Sequence, residues 1–423
     1  MNRPRLSTPA GIIVNDAPRS AYVHIPFCRR RCFYCDFPIY VVGDRGLQNP
    51  DHPVPRSITT YLNALQTEIH RTPRQNAQPL ETVFFGGGTP SVLTGEQLGR
   101  ILASLDRQFG LAHDAEISME IDPGTFDLTG LRAYQQAGIN RFSFGTQAFQ
   151  PELLAGCGRA HTVTDIANSM AMLTQAGIDN YSLDLISGLP NQTLAQWQDS
   201  LHQAIAYQPT HISTYDLTIE AGTVFGKRYR PGDQPLPSDD TTAAMYRLAH
   251  QVLSEAGYNH YEVSNYAKPG YQCQHNRMYW ENRAFYGFGM GATSYLQGHR
   301  YPRPRQLQTY IDWVEQFDPQ PPASPLAPHD LLLDTLMVGF RLAEGIALPP
   351  LQPTFGDRLI QAVWQCLQPY IRTGWLEAVD AANTAQTASA PWQTIERLRL
   401  TAPEGFLFSN VLLVKLFDQL DES

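Results

Sequence analysis

The sequence predicts an α/β fold: a partial, six-unit (β/α) barrel followed by a smaller α+β stretch and a helical, winged-helix-like C-terminal region. Three observations carry this expectation. Between Ala21 and about Glu220, short strand-like runs alternate with stretches whose apolar residues recur at helical spacing. Each strand-like run ends in a polar or glycine-bearing tip, at His24, Gly86 to Thr89, Glu120, Gln147, Asp184 and Asp216, and no G-x-G-x-x-G follows the first. After Pro231 the alternation stops. Repeated βα units with right-handed crossovers build a parallel sheet with helices on its outside. In a curled sheet of this kind, polar residues at the carboxyl ends of the strands converge on one mouth, and six units are fewer than a closed eight-stranded barrel needs.

Residues 1–20 form an N-terminal extension without the apolar core of a signal peptide. Residues 21–235 hold the barrel, with strands expected at Ala21 to Ile25, Thr82 to Phe85, Glu116 to Ile121, Arg141 to Phe144, Tyr181 to Ile186 and His211 to Leu217. Helical stripes lie between them: Ile58, Tyr61, Leu62, Leu65 and Ile69; then Leu98, Ile101, Leu102, Leu105 and Phe109; later Ile166, Met170 and Leu173, and Leu194, Trp197, Leu201 and Ile205. The Pro/Gly-rich stretch Pro38 to Pro55 is longer than an ordinary βα connection and is placed as a lid. Residues 236–320 read as an α+β segment, with a helix from Ser238 to Gly257 and an aromatic, glycine-rich run from Tyr258 to Leu296 that contains His-Asn-x-x-Tyr-Trp. Pro319 to Pro328 reads as a linker. Residues 321–423 open on an apolar helix, His329 to Glu344, closed by Gly345, and later show a hairpin pattern, Leu398 to Leu407, turning at Pro403 to Gly405.

With 43% hydrophobic and 17% charged residues, the 423-residue chain has the composition of packed domains rather than of a disordered segment. The 31 basic and 40 acidic residues leave a net charge of -9 without a basic stripe, so a nucleic-acid partner is not expected. No run approaches the ~18 apolar residues of a spanning helix, and a cytoplasmic protein without an integral membrane segment is expected. Six cysteines are too few for a disulfide scaffold. Half of them, Cys28, Cys32 and Cys35, fall within eight residues directly after the first strand.

That C-x3-C-x2-C loop can close three thiolates around one metal centre. Structural zinc ordinarily takes four protein ligands in paired C-x2-C spacing, for which His24 is the available fourth group. A [4Fe-4S] cluster held by three cysteines instead leaves one iron for an exchangeable ligand. The spacing, with Tyr34 just before the last cysteine and the loop following a strand of a βα series, resembles the radical S-adenosylmethionine superfamily. The resemblance implies that the open iron takes S-adenosylmethionine, whose radical chemistry belongs to the cofactor. The Gly86-Gly87-Gly88-Thr89-Pro90 tip lets backbone approach a ligand closely, and Glu120 is an acceptor suited to ribose hydroxyls.

A narrower resemblance follows from residues taken in order. Tyr22 to Cys28, the GGGTP tip, Glu120-Ile121-Asp122-Pro123, Phe144 to Phe149, Arg159 and Asp184 to Pro190 are similar to the oxygen-independent coproporphyrinogen III oxidase family. The resemblance implies that Tyr22, the glycine tip with Gly87, and Glu120 hold the cluster-bound S-adenosylmethionine. Tyr34, Gly88, Thr89, Gln147, Arg159 and Asp184 would contact a second molecule. Arg159 offers a planar fork for a carboxylate, and Arg159 with Asp184 also reads as an ion pair across the mouth.

Two departures from the oxidase matter. Phe37 stands where the oxidase has a further cysteine, and only 27 residues precede Cys28. Cys273-Gln274-His275-Asn276-Arg277-Met278-Tyr279-Trp280 instead resembles the signature of the heme chaperone branch of the family, as does Asp334 to Arg341 with Gly345-Ile346. This resemblance implies a chaperone that binds heme near His275 and transfers it to an acceptor apo-hemoprotein, a membrane respiratory enzyme being one candidate acceptor, without coproporphyrinogen oxidase activity. Imidazole is a common axial iron ligand, Tyr279 and Trp280 offer faces for a macrocycle, and Arg277 a partner for a propionate. The alternative is the oxidase itself, a radical decarboxylase. Cys157, Cys273 and Cys366 read as buried, incidental residues, with Cys273 also placed to attack a heme vinyl group.

Overall fold

The computed structural model describes residues 17–43, 53–317 and 327–421. Most of the N-terminal extension, the middle of the expected lid and nearly all of the expected linker lie outside the described residues. The chain forms two compact units: one from Ala17–Met245 with the stretch that starts at Ala284, the other from Tyr246–Arg283 with the described residues from 327 onward. The expected 236–320 segment is thus shared between the two.

The first unit starts with β1 (Ser20–Ile25), followed by the short strands β2 (Phe27–Cys28) and β3 (Tyr40–Val41). Next come α1 (Pro53–Arg71), β4 (Leu80–Gly87), α2 (Gly95–Phe109), β5 (Leu111–Ile121), α3 (Leu128–Ala137) and β6 (Arg141–Gln147). The series continues with α4 (Pro151–Gly156), α5 (Val163–Ala176), β7 (Tyr181–Ser187), α6 (Leu194–Ala206), β8 (His211–Asp216) and α7 (Val224–Arg228). All six predicted strands are present, and β4, β6 and β7 run past their expected ends into their glycine or polar tips. The helices start where side chains satisfy their first amides: α2, α5 and α6 each open on a capping box, Thr94 with Gln97, Thr162 with Asp165 and Thr193 with Gln196. Gly138 and Gly177, in left-handed conformations, close α3 and α5.

α8 (Asp239–Glu255) carries the chain into the second unit, where β9 (Asn259–Glu262) and β10 (Asn265–Ala267) pair antiparallel and α9 (Gln274–Trp280) follows. The chain then returns to the first unit with β11 (Tyr286–Phe288), β12 (Thr293–Leu296), β13 (His299–Pro302) and α10 (Leu307–Glu315). β11 is a seventh parallel strand, aligned with β1 as Ala21 to Tyr286 and Val23 to Phe288. Three residues with a central glycine give little strand signal. The glycine is required, because a Cβ at Gly287 would sit 2.2 Å from the Thr293 carbonyl oxygen.

The order in this unit is β11-β1-β4-β5-β6-β7-β8. From β1 onward it follows the chain without reversal, so crossovers of one hand put every helix on the same face, and the other face is free to curl inward. Behind β1 lies a buried ion pair, Glu68 with Arg303, at 2.8 Å. The second carboxylate oxygen of Glu68 accepts from the Gly289 amide at 2.9 Å and the Tyr310 hydroxyl at 2.7 Å. One side chain of α1 thereby holds the β11 to α10 stretch.

The second unit continues with α11 (Pro328–Gly339), β14 (Ile346–Ala347), α12 (Gln352–Arg372), β15 (Leu376–Val379), β16 (Ala385–Gln386), β17 (Arg397–Leu400), α13 (Glu404–Leu407) and α14 (Ser409–Asp421). The antiparallel sheet β14-β17-β15-β16 packs with α11, α12 and α14 around Leu336, Ile360, Trp364, Leu398 and Leu416, the expected winged-helix-like arrangement. Two local expectations are corrected. α11 stops at Gly339 rather than Glu344, because Leu342 turns out to bridge Glu262. The expected hairpin has only its first strand, since the chain after Pro403 coils into α13.

Removing one partner of a buried charge pair leaves the other uncompensated, at a cost of roughly 3–5 kcal/mol, whereas an exposed pair is worth at most about 1 kcal/mol. Arg303→Met is therefore expected to lower stability against urea by several kcal/mol, and Arg399→Ala, which breaks the half-exposed pair with Glu377, by less than about 1 kcal/mol. Equal losses would contradict the ranking.

Candidate functional site

The cysteine loop is closed at its base because β2 and β3 pair in parallel, Phe27 with Tyr40 and Cys28 with Val41. Arginines pin its outside by donating to its carbonyls: Arg31 to Cys35 and Phe37 at 3.2 Å each, and Arg305 to Asp36 at 2.8 Å. The Phe33 amide bonds the Cys157 carbonyl at 3.0 Å, and the ring lies so close to Gly158 that a Cβ there would meet it at 2.8 Å. A loop so rich in polar backbone keeps one shape only when its carbonyls and amides are satisfied in this way.

The loop covers a cavity of about 450 Å³ at the carboxyl ends of the strands. Cys28, Cys32, Cys35, Tyr34, Gly87, Gly88, Thr89, Glu120, Gln147, Arg159 and Asp184 all line it, so eleven of the residues singled out in the sequence converge there. Tyr22 lies beneath instead: its ring stacks on Phe84, and its hydroxyl bonds His24 Nδ1 at 3.0 Å. His24, the candidate fourth zinc ligand, is taken up by that bond and by one from its Nε2 to the Pro38 carbonyl at 2.9 Å. Burial lowers its pKa to about 4.

Three thiols on one cavity wall need a positive centre. Burial pushes the Cys28 thiol up to about 12, partly offset by the Thr89 hydroxyl, and raises that of Cys35. Their thiolates repel one another, and a cationic metal centre is the partner that offsets such charge. Among the described residues no group of three or more His, Cys, Asp or Glu is gathered tightly enough to hold a single ion. The thiols line a shared space, which fits a polynuclear centre reached from several sides. Next to it, glycines let neighbouring groups close on the chain: a Cβ at Gly145 would lie 2.8 Å from Asp122 and 3.1 Å from the Gln147 amide, and one at Gly88 2.7 Å from the Ile25 carbonyl oxygen.

Asp122 organises the mouth. It accepts from Thr89 at 3.0 Å and from Arg159 Nη2, which also donates to the Gly145 carbonyl at 2.9 Å. Arg159 Nη1 lies 3.4 Å from both Cys32 Sγ and the Tyr34 hydroxyl. Burial works against the guanidinium charge, but Asp122 outweighs it and keeps the group protonated. The ion pair of the mouth is thus Arg159 with Asp122, not with Asp184. Arg159 Nε is buried without a partner, a donor left for a ligand. Gln147 reaches the cavity from a left-handed backbone conformation, φ 67°, a strained geometry for a non-glycine residue.

Asp184 lies on the cavity floor, where the hydroxyls of Ser213 at 2.7 Å, Ser143 at 2.8 Å and Ser182 at 3.1 Å donate to it. Burial raises its pKa and these bonds counteract the rise. The serines and Asp122 were not singled out in the sequence, although their alternation with Glu120 and Asp184 on adjacent strands is the signal that places them on one face. His161, also unflagged, lines the cavity with its pKa lowered to about 4 by burial. Phe37 stands 51% exposed on the rim.

In the second unit, His275 is buried on α9, and its Nε2 bonds the Tyr279 hydroxyl at 3.0 Å. Arg277 is engaged by Glu344 at 2.7 and 3.1 Å, by Glu281 at 3.1 Å and by Gln272 at 2.6 Å, so its fork is committed within the protein rather than offered to a propionate. The Trp280 ring carries Arg341 over one face at 5.0 Å. Cys273 and Cys366 are buried, as is Cys157.

Comparison with known proteins adds to this geometry. Residues 22–204 match the radical SAM superfamily. The chain is 45% identical to the heme chaperone HemW of Synechocystis sp. over 96% of this chain and 98% of that one. It is 34% identical to the heme chaperone HemW of Bacillus subtilis over 81% of this chain and 88% of that one. The fold is similar to coproporphyrinogen III oxidase (HemN) from Escherichia coli, described as a radical SAM enzyme, with a TM-score of 0.75 and 22% identity over 96% of this chain and 92% of that one.

Glu120 offers a test of this site. Its carboxyl accepts from the Gly87 amide at 2.9 Å, but burial raises its pKa from 4.5 to about 8. Between those values the folded protein holds a proton that the unfolded chain releases, so this group's contribution to stability falls as pH rises from about 4.5 to 8. The melting temperature of the wild type is expected to drop relative to Glu120→Gln as pH goes from 5 to 8. A constant difference would rule out a raised Glu120 pKa.

Proposed function

The chain belongs to the heme chaperone HemW family, within the radical SAM superfamily, and from that membership we propose that it binds heme and passes it to an acceptor apo-hemoprotein, carrying a [4Fe-4S] cluster on Cys28, Cys32 and Cys35. The observation that carries this reading is the 45% identity to a heme chaperone along almost the whole of both chains. The signature from His275 to Trp280 fits it, because it falls on one short helix, α9, with its histidine and tyrosine hydrogen-bonded to each other.

When bound, S-adenosylmethionine at the open iron of a cluster supplies ligand exchange and one-electron chemistry. The chain's residues do the holding. Gly87, Gly88 and Gly145 let His24, the Ile25 carbonyl and Asp122 approach the cavity wall closely, Glu120 accepts hydroxyls, and the Arg159 guanidinium, held by Asp122, keeps Nε for an acceptor. Tyr22 contributes from below, by supporting Gly86 and His24. Tyr34, Thr89, Gln147 and Asp184 border the remaining space. Phe37 places an apolar ring on the rim where the oxidase pattern has a thiol, which supports a carrier without porphyrinogen oxidase activity. No described helix is long and apolar enough to cross a membrane. We place the protein in the cytoplasm, meeting its acceptor there or at the membrane surface.

Heme, the cargo, is assigned to α9, with His275 as the axial ligand. Iron ligated at Nε2 would displace the Tyr279 hydroxyl, a competitor four residues along the same helix that makes such ligation reversible. In absorbance titrations with heme, His275→Ala is expected to shift the Soret band and weaken binding about tenfold, equivalent to roughly 1.4 kcal/mol. Tyr279→Phe keeps the ring, removes the competing hydroxyl and should bind at least as tightly as wild type. An unchanged spectrum in His275→Ala removes this histidine from the site.

A further inference from the structure

The first unit contains a second cavity of about 450 Å³, lined by residues from the end of α1 through Gln75 and from Ser294 to Phe317. It shares no residue with the cysteine-loop cavity. Trp313 and Phe317 form one wall, with rings 4.5 Å apart, and Leu296, Tyr301 and Pro302 add apolar surface. No Asp or Glu lines it, although the chain carries a net charge of -9. Its charged groups are both cations: Arg300, which stacks over Tyr295 at 5.4 Å, and Arg303.

Arg303 makes this a built site. Its side chain is buried, with Nε on Glu68 at 2.8 Å and Nη1 on the Tyr301 carbonyl. The guanidinium lies 5.6 Å from the centre of the Trp313 ring. A donor held rigidly against an aromatic wall is the kind of polar group that orients a ligand in an otherwise apolar pocket, and the volume falls in the range of small-molecule sites.

We propose that this cavity binds a flat, largely apolar molecule bearing one anionic group, with the ring system against Trp313 and Phe317 and the anion toward Arg303 and Arg300. Arg300 and Arg303, the latter balanced by Glu68 at 2.8 Å, are the charged groups of the lining, and no carboxylate lines it to repel an anion. The proposal stands independently of heme transfer at α9.

The full-length protein can be titrated with 8-anilinonaphthalene-1-sulfonate, a probe of this chemistry, and with N-phenyl-1-naphthylamine, which has the same rings without the sulfonate. The sulfonate is expected to bind at one site and at least tenfold more tightly than the neutral probe. Trp313→Ala and Leu296→Glu should each weaken it at least tenfold, the second by adding a carboxylate to the lining from a partly exposed position. Phe37→Ser, at the other cavity, should leave binding unchanged. Wild-type affinity in Leu296→Glu, loss of binding in Phe37→Ser, or no bound probe at all would overturn the site. Equal affinity for the two probes would overturn its preference for anions.

Discussion

The first unit depends on one carboxylate that has no access to water. Glu68 sits in the last turn of α1, and both its carboxylate oxygens are taken by the chain between Gly289 and Tyr310. A buried charge tolerates only a complete set of partners, so this constraint positions β11 and α10 as firmly as their apolar contacts do. It also extends toward the chemistry. Tyr61, two turns of helix before Glu68 and in edge contact with Phe27, donates to the His24 carbonyl and accepts from the Met290 amide. His24 in turn holds the Pro38 carbonyl at the far end of the cysteine loop. The loop's shape is therefore linked, through Tyr61 and His24, to the helix that carries the Glu68 ion pair.

Much of this was legible in the chain itself. The six strands with helical stripes between them, and the polar tips that gather at the mouth, follow from periodicity and turn chemistry, which are local properties. Cys28, Cys32 and Cys35 were readable because their spacing alone fixes a loop. The rest depends on pairing between distant residues. β11 is three residues long and becomes a strand because β1 offers it a ladder. Arg159 was visible as a donor fork, but only the register of β5 and β6 makes Asp122 its partner. The same holds for the serines around Asp184: a serine in a strand carries no special signal until three of them face one carboxylate. His275 was found by its motif, yet its burial and its bond to Tyr279 come from the helix that the motif forms.

The two units differ in how their charges are arranged. In the first, charge is concentrated on a cavity wall and balanced residue by residue, with Arg159 against Asp122 and serines against Asp184. In the second, α9 has its cation neutralised by Glu344 and Glu281, and its tryptophan stacked on Arg341, which leaves aromatic surface and one imidazole as its chemistry. A cavity rich in fixed charge suits a small polar cofactor held for many cycles. A short helix with a competitively bonded imidazole suits a cargo that must be released.

The place of β11 in the sheet bears on how the protein is made. β1 carries the cysteine loop and lies between β4 and β11, so it is not a sheet edge in the finished unit. Its neighbour on one side is only synthesised more than 260 residues later, after the whole of α9. Until then the strand that bears the metal loop is an open ladder on a growing chain, with the hazard of mispairing that open edges carry, and Glu68 has none of its partners. The loop therefore reaches its final rigidity late in synthesis, when the ribosome has passed Tyr310.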